Sequence, residues 1–172
     1  QDKRKNDNLE HRAITFENRF QLIERRKHGF DAGIRIIYGQ SDGDKTPNEL
    51  DLRAMAQVHF GKDKKWEFRH NTILEHDLGE NSRHGFTLEF RNQVTKSIQP
   101  PKYLKSLRVG VESFNDFGRL RDTAGFDSQD HQFGPVMKAK FGNGYYIQAG
   151  YRYGISDDAA NHLAKVFIGK KF

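Results

Sequence analysis

Residues 162–172 read HLAKVFIGKKF, and apolar side chains recur at every second position of this stretch. A period of two is typical of a β-strand with one apolar face. Lys170 interrupts the apolar series two residues before the terminal aromatic. The closing stretch therefore predicts a β-strand, and its pattern can be compared with the rest of the chain. The residues on its apolar face are Ala164, Val166, Ile168 and Phe172.

The same alternation recurs in eight segments upstream of this strand. Turn signals separate the segments, and almost no stretch has a helical period, so the chain is predicted to be all-β and antiparallel. The segment 104–117 loses its alternation in its second half, which predicts a β-bulge there. The predicted strands are 12–24, 29–39, 49–61, 65–77, 85–97, 104–117, 132–141, 144–154 and 162–172.

The composition favours one domain with little apolar material for a soluble core. The chain has 172 residues, of which 35% are hydrophobic and 30% are charged, and its mean hydropathy is -0.89. No run approaches the roughly 18 apolar residues of a transmembrane helix, but strands of about ten residues can cross a bilayer at a tilt. The lack of cysteine excludes a disulfide framework and a thiolate metal site. We expect residues 1–172 to form a single β-barrel domain.

The strand face opposite the apolar one carries charges of both signs. A buried soluble core could not hold so many ionised groups without a large desolvation penalty, so this face is expected to be solvated. It would be the lumen of a membrane barrel or the exterior of a soluble one. The net charge is +6, but the basic residues alternate with acidic ones, so no nucleic-acid partner is expected. Opposite charges lie two residues apart at Glu17 and Arg19, Asp51 and Arg53, Glu67 and Arg69, and Glu89 and Arg91.

The connections between the predicted strands alternate in length. Short turns such as GNG at 142–144 follow odd-numbered strands, and longer polar loops such as QSDGDKTPN at 40–48 follow even-numbered ones. The proline-containing stretch SIQPPKYLK at 97–105 falls where a short turn is expected. Short turns at one end and long loops at the other are typical of outer-membrane barrels, whose short turns are periplasmic.

Aromatic residues concentrate near the strand ends, as is expected where rings lie at the two interfaces of a membrane. Those near the short turns are Phe60, Trp66, Tyr103, Phe141, Tyr145 and Phe172. Those near the long loops are Tyr38, Phe86, Tyr151 and Tyr153.

The terminal aromatic at Phe172 is typical of the strand that closes a bacterial outer-membrane barrel. If that strand runs toward the periplasm, a count of nine makes the first strand run the same way, although such barrels have even strand numbers and periplasmic termini. Residues 1–8, QDKRKNDN, resemble the tail of an outer loop and contain no signal peptide, so the chain is expected to be mature or to lack its start. We therefore expect a barrel of ten to twelve strands, with one or more N-terminal strands missing from this chain.

Two stretches carry a resemblance to a known family. Residues 134–162 combine a Gly-Pro-Val start, a glycine-rich hairpin, an Ala-Gly-Tyr core and an Asp-Ala-Ala loop. Residues 14–22, ITFENRFQL, are followed by an acidic loop at 42–52, DGDKTPNELDL. The chain resembles proteobacterial outer-membrane β-barrel proteins of about twelve strands, a family without a settled function. The resemblance implies the barrel architecture, a location in the bacterial outer membrane and further strands before residue 1.

The sequence favours a small porin-like channel or a structural barrel of the bacterial outer membrane. Its expected partners are outer-membrane lipid, the missing N-terminal strands and other envelope proteins. Lys138, Lys140 and Arg152 lie on neighbouring strands without an evident acidic partner, which predicts a cationic patch and a weakly anion-selective pore. The residues expected to line the lumen are Arg35, Arg53, Glu67, Arg69, Glu89, Arg91, Lys138, Lys140 and Arg152.

Two other functions fit the pattern. A soluble barrel of the lipocalin type would turn the apolar face inward around a small apolar ligand. A barrel scaffold subunit within an envelope assembly is the second. An enzyme is not expected, because His70 and His76 fall on the apolar face without a serine at a matching level. No cofactor or metal is expected, since no two histidines share ligand spacing with a carboxylate.

Overall fold

Nine β-strands make up most of the chain, so the predicted all-β class is confirmed. The structure, a computed structural model, describes residues 13–41, 47–79, 82 and 85–171. Each predicted strand is present, with ends that differ from the predicted ones by at most two residues. Phe172 lies outside the described residues, as does the predicted outer-loop segment before Ala13. The strands are β1 (Ala13–Ile23), β2 (Phe30–Ser41), β3 (Asn48–Phe60), β4 (Trp66–Leu78), β5 (Phe86–Ile98), β6 (Leu104–Arg119), β7 (Asp130–Phe141), β8 (Tyr145–Gly154) and β9 (His162–Lys170).

The strands form one antiparallel up-and-down sheet in which each strand pairs with its neighbours in sequence, from β1 to β9. Within the described residues β1 and β9 do not pair with each other, so the sheet is not closed into a barrel. The outer edges of β1 and β9 therefore present backbone N–H and C=O groups to which a further strand can bond.

The connections at one end of the sheet have three to six residues and those at the other end six to ten, so the predicted alternation in length holds except that 24–29 and 42–47 are equally long. The short-turn end contains a one-turn helix, α1 (Arg25–His28), and a 3₁₀ turn at Lys62–Lys64. The long-loop end contains a 3₁₀ turn at Phe126–Ser128, and parts of its first two loops lie outside the described residues. None of the helices in the described chain is long and apolar enough to cross a membrane. The connections are 24–29, 61–65, 99–103 and 142–144 at the short-turn end, and 42–47, 79–85, 120–129 and 155–161 at the long-loop end.

The predicted bulge in β6 is confirmed. The register between β5 and β6 shifts between Thr87, which pairs with Arg119, and Glu89, which pairs with Asp116, so β6 contains one extra residue. Gly118 within this bulge has φ of 68°, a conformation that glycine adopts without strain. Its backbone N–H donates to the Asp116 carboxylate at 2.8 Å. The register is regular through Asp116, so the alternation fails before the bulge, at Ser113, Phe114 and Asn115, where polar and apolar residues exchange faces.

The two faces of the sheet differ in curvature as well as in chemistry. Nζ of Lys138 on β7 lies 3.4 Å from Oε1 of Glu67 on β4. Nζ of Lys165 on β9 lies 2.6 Å from Oε2 of Glu112 on β6. Each pair is three strands apart, which is about 14 Å in a flat sheet with strands ~4.8 Å apart. The sheet is therefore strongly curved, with a concave face that is charged and a convex face that is apolar.

The apolar side chains of the convex face are not covered by another layer of the described chain. Phe16, Leu22 and Ile168 are 57%, 63% and 71% exposed. The apolar residues that are buried are few and mostly small. They are Ile73, Val136, Ala139 and Ala159. The described part of the chain thus lacks the apolar interior that holds a soluble domain together.

Two glycines on the concave face let neighbouring strands approach closely. A Cβ atom added to Gly110 would lie 1.9 Å from the carbonyl oxygen of Val94, and one added to Gly134 would lie 1.9 Å from that of Tyr151. No side chain fits at such distances, so both positions require glycine. These close approaches lie on the side toward which the sheet curves.

Candidate functional site

The charge pairs predicted along four strands all form ion pairs on the concave face. The carboxylates of Asp51, Glu67 and Glu89 are buried, at 5%, 4% and 7% exposure. The side chains of Arg69 and Arg91 are 44% and 40% exposed. The carboxylates thus lie close to the backbone, and the guanidinium groups of Arg69 and Arg91 extend further into the concave space. The solvent-exposed layer at these two pairs is therefore cationic. The N···O distances are 2.7 Å for Glu17–Arg19, 2.7 Å for Asp51–Arg53, 2.9 Å for Glu67–Arg69 and 2.7 Å for Glu89–Arg91.

Glu67 is approached by four basic side chains. Its Oε1 lies 2.9 Å from Nε of Arg69 and 3.4 Å from Nζ of Lys138. Its Oε2 lies 3.2 Å from Nε2 of His59 and 3.9 Å from Nε of Arg108. One carboxylate therefore faces two guanidinium groups and one ammonium group, and this part of the face carries an excess of positive charge.

Glu112 forms a second centre of the same kind on β6. Its side chain accepts hydrogen bonds from Nζ of Lys165 at 2.6 Å and from Nε2 of Gln93 at 3.0 Å. Nε of Arg152 lies 3.9 Å from its Oε1. Glu112 is only 5% exposed, so its negative charge also lies beneath the basic groups around it.

The expectation that Lys138 and Arg152 lack an acidic partner is wrong. Glu67 reaches Lys138 across three strands, and Glu112 reaches Arg152 across two strands. The curvature of the sheet creates these contacts, and strand alternation alone carries no information about it. Lys140 forms no ion pair within the described residues.

The residues expected to line a lumen all lie on the concave face, on β2, β3, β4, β5, β7 and β8. Arg35 and Arg53 are directly opposite each other in the β2–β3 register. Arg35 binds Glu17 on β1, and Arg53 binds Asp51 on its own strand. These pairs lie apart from the groups around Glu67, so the predicted set forms no single cluster. That the concave face encloses a lumen stays a prediction.

A cavity of about 510 Å³ opens at the short-turn end of the concave face. Tyr146 and Gln148 on β8 contribute to its polar lining, and none of the described residues that line it is acidic. We call it the basic cavity. Its cationic residues are Arg69, Lys105, Lys138, Lys140 and Lys171.

Several residues of this face were not among the sequence-predicted candidates. Arg108, Glu112 and Lys165 occupy the charged side of their strands, so the alternation contained the signal for them. Lys105 lies at a register shift between β6 and β7, where alternation gives no reliable face. Tyr146 is an aromatic residue on the charged face, and composition gives no reason to place it there.

A hydrogen-bonded polar band crosses the otherwise apolar convex face. Nδ1 of His70 lies 2.7 Å from Oδ1 of Asn92, and Nε2 of His70 lies 2.9 Å from Oγ1 of Thr72. An amide oxygen only accepts, so Nδ1 carries the proton and Nε2 accepts from the threonine hydroxyl. Nδ2 groups of Asn92 and Asn115 donate to Oγ of Ser113 at 3.3 Å and 3.2 Å. These bonds satisfy polar groups on an apolar surface.

The position of His70 on the apolar face was predicted, but its partners were not. The expectation that no serine lies at the level of His70 is wrong, because Ser113 lies at the same register level, two strands away. Its hydroxyl oxygen accepts from the side chains of Asn92 and Asn115 and does not contact His70. The side chains of Thr72, His70 and Asn92 form a chain of a hydroxyl, an imidazole and an amide. The same three groups can act in enzymes as a nucleophile, a base and a group that orients the base. Here the imidazole lies on the convex face, among aromatic rings such as Phe90, whose centroid is 5.5 Å from that of His70.

Aromatic rings mark both ends of the convex face. Phe60 and Trp66 stack across the 61–65 connection with centroids 6.2 Å apart. Tyr151 and Tyr153 lie near the long-loop end with centroids 4.9 Å apart. All four side chains are exposed. The convex face is thus an apolar zone with aromatic residues at its two borders.

Two lysines at the short-turn border lie over aromatic rings of the convex face. Nζ of Lys96 is 5.2 Å from the centroid of Trp66. Nζ of Lys170 is 5.1 Å from the centroid of Tyr145. Lys170, which interrupts the apolar series of β9, therefore covers a ring and places its charge near the end of the sheet.

The described residues contain no group of three or more histidine, aspartate or glutamate side chains that could hold a metal ion. Comparison of the chain with protein-family models, with curated proteins and with solved structures gives no match. The resemblance to outer-membrane barrel proteins stays a prediction, and any functional conclusion depends on the geometry described above.

Proposed function

We propose that this chain forms the wall of a transmembrane β-barrel in the bacterial outer membrane, with a charged lumen that passes small anions. The observation that carries the proposal is the arrangement of the two faces, which is the reverse of that in a soluble barrel with an apolar interior. The convex face is apolar and exposed, whereas the concave face holds ion pairs with buried carboxylates. A membrane barrel has this arrangement, with apolar residues outside and polar residues within.

The exposed apolar surface is costly in water and favourable in lipid. Soluble monomers rarely expose a contiguous apolar patch larger than a few hundred Å². Here exposed apolar or aromatic side chains occur from β1, at Phe16 and Phe20, to β9, at Val166 and Ile168. Contact with hydrocarbon removes this cost, at roughly 25 cal/mol for each Å² of apolar surface taken out of water.

The geometry disfavours the lipocalin-like alternative. A soluble barrel of that type needs apolar side chains on its concave face, around the ligand. The concave face instead holds the ionised groups around Glu67 and Glu112 and the basic cavity. An apolar ligand would have to displace water from these charges without replacing their contacts.

The borders of the convex face support the same proposal. Tyrosine and tryptophan favour the interface between hydrocarbon and headgroups, and lysine side chains extend their charge toward it. Trp66 with Lys96 and Tyr145 with Lys170 have this arrangement at the short-turn end. The aromatic pair Tyr151 and Tyr153 occupies the opposite border.

The outer edges of β1 and β9 need further strands to pair with if the sheet lies in a membrane. Backbone groups facing hydrocarbon must be hydrogen-bonded, so the outer edges of β1 and β9 cannot remain free in a bilayer. We propose that further strands complete a barrel of ten to twelve strands. The curvature shown by the contacts between β4 and β7 and between β6 and β9 is compatible with such closure.

The preference for anions follows from the layering of charge. Around Glu67 and Glu112 the carboxylates are buried beneath basic groups, so a solute in that part of the concave space meets guanidinium and ammonium groups first. Rings of such cations select anions in pores. Lys140 is exposed, and the side chains of Arg19, Arg69 and Arg91 are 61%, 44% and 40% exposed.

Conductance in planar bilayers tests the proposed anion pathway. We expect channel events whose reversal potential in a KCl gradient indicates a preference for chloride. Lys140→Glu should shift the reversal potential toward cation preference, because it replaces a cation of the concave face without breaking an ion pair of the described residues.

Lys27→Glu is the matched control, because Lys27 lies in the exposed turn of α1 and carries the same charge change. It should leave the reversal potential close to that of the unmodified protein. An absence of channel events, or a cation preference that Lys140→Glu does not alter, would contradict the anion pathway.

A further inference from the structure

The basic cavity holds more positive charge than the described carboxylates around it can balance. Of its five basic residues, Arg69 and Lys138 share the single carboxylate of Glu67. Arg108 lies 3.9 Å from the same carboxylate, so Glu67 is divided among three cations. Lys105 and Lys140 form no ion pair within the described residues. An anion that enters this cavity therefore meets cations that lack counter-charges.

The ring of Tyr146 forms part of the wall of the basic cavity. Tyr146 pairs with Gly169 across the β8–β9 register. A Cβ atom added to Gly169 would lie 2.3 Å from Cζ of Tyr146, so only glycine lets the ring lie flat against β9. The ring supplies an apolar surface beside the lysines, and Gln148 adds a polar amide group to the lining.

The cavity is large enough for a small organic solute and not only for a bare ion. Its volume of about 510 Å³ falls in the range of roughly 300–1,000 Å³ that is typical of sites for small organic ligands. The clustered cations suit a group with several anionic oxygens, and a phosphate monoester carries a charge of about -1.5 to -2 at pH 7. Arginine and lysine are the usual partners of phosphate oxygens.

We propose that the basic cavity binds the phosphate group of a small phosphorylated organic solute, whose uncharged part lies against the ring of Tyr146. Lys105, Lys140 and Arg69 contact the phosphate. This inference deepens the proposed anion pathway, and it rests on that function for the route by which the solute arrives. A free solute fits better than a lipid headgroup, because the cavity opens on the concave face, away from the apolar surface that would hold acyl chains.

Calorimetric titration of the protein in detergent micelles tests this proposal without any ion flux. The probes are glucose 6-phosphate, inorganic phosphate and glucose. Glucose 6-phosphate should bind most tightly, inorganic phosphate more weakly and glucose not at all. Lys140→Gln and Lys105→Gln should each lower the affinity for glucose 6-phosphate about tenfold, the loss expected for one charge-assisted contact.

Variants separate the two parts of the site. Tyr146→Ala should lower the affinity for glucose 6-phosphate and leave the affinity for inorganic phosphate unchanged, since only the organic part of the solute contacts the ring. Lys27→Gln and Lys62→Gln remove the same charge from exposed turns at the short-turn end and should leave both affinities unchanged. Equal losses in these controls would show general charge attraction and would overturn the proposal.

A competition experiment with a phospholipid tests whether the bound phosphate belongs to a free solute or to a lipid headgroup. Phosphatidic acid added to the micelles should not compete with glucose 6-phosphate. Competition that depends on Lys140 would identify a lipid headgroup as the ligand and would overturn the proposed solute. A protein that passes anions but binds no phosphorylated solute refutes this inference alone. A protein that binds the solute but does not insert into lipid refutes the proposed function alone.

Discussion

The position of Glu67 determines the charge of the concave face near the short-turn end. Its carboxylate is buried, and Arg69, Arg108 and Lys138 converge on it from three different strands. The carboxylate holds these cations near one another, and mutual repulsion would otherwise separate them. One buried acidic residue therefore keeps a cationic layer in place above it.

Neutralising this carboxylate should destabilise the fold. Glu67→Gln keeps the size of the side chain but leaves three cations without a counter-charge. We expect the free energy of unfolding to fall by roughly 2 kcal/mol, less than the 3–5 kcal/mol typical of a fully buried pair, because Arg69 is partly solvated. Denaturant unfolding in detergent micelles measures this loss.

Asp63→Asn provides the matched control for that substitution. Asp63 pairs with Lys65 at 3.3 Å in the 61–65 turn, where both side chains are more than half exposed. Its loss should have little effect, as is usual for exposed ion pairs. Equal effects of Glu67→Gln and Asp63→Asn would contradict the role given to Glu67.

At the scale of residues, sequence spacing predicted the pairs within a strand but not those between distant strands. Glu89 and Arg91 lie two residues apart, so alternation places them on one face and within reach. Lys138 and Glu67 are 71 residues apart, and only the curvature brings them together. The band of His70 and Asn92 was missed because its members are polar residues at apolar positions.

At the scale of elements, the strands were predictable and their curvature was not. Alternation located all nine strands, but it fails at 113–115, where the register is regular, and the bulge predicted for this strand lies further along, between Asp116 and Arg119. The curvature depends on how closely neighbouring strands approach. That approach depends in part on Gly110 and Gly134, and nothing in the alternation distinguishes them from other glycines within strands, such as Gly39, which has no atom closer than 3.8 Å to an added Cβ.

The importance of Gly110 can be measured directly. Gly110→Ala places a Cβ atom 1.9 Å from the carbonyl oxygen of Val94, so β5 and β6 must move apart. We expect a loss of roughly 1–3 kcal/mol in the free energy of unfolding, the usual cost of overpacking. Gly125→Ala is the control, because Gly125 has φ of -63° and no atom within 4 Å of the added Cβ. A Gly110→Ala variant as stable as Gly125→Ala would contradict the close approach.

At the scale of the whole molecule, the sequence predicted which residues share a face but not which face is concave. An alternating chain can curve either way, giving a soluble barrel with an apolar interior or a membrane barrel with a charged one. The contacts of Lys138 with Glu67 and of Lys165 with Glu112 place the charged face inside the curve. This geometry favours the second of the two interpretations and is the basis of the proposed function.

The most direct test of the inverted faces compares two adjacent residues of β9. Phe167 on the concave face is 58% exposed and Ile168 on the convex face is 71% exposed, and the chain contains no cysteine. Phe167→Cys and Ile168→Cys variants in lipid vesicles are treated with a water-soluble maleimide, with labelling in denaturant as the reference for each. We expect the reagent to label the Phe167→Cys variant and to leave the Ile168→Cys variant unlabelled. Equal labelling of the two variants in vesicles, or faster labelling of Ile168→Cys, would contradict it.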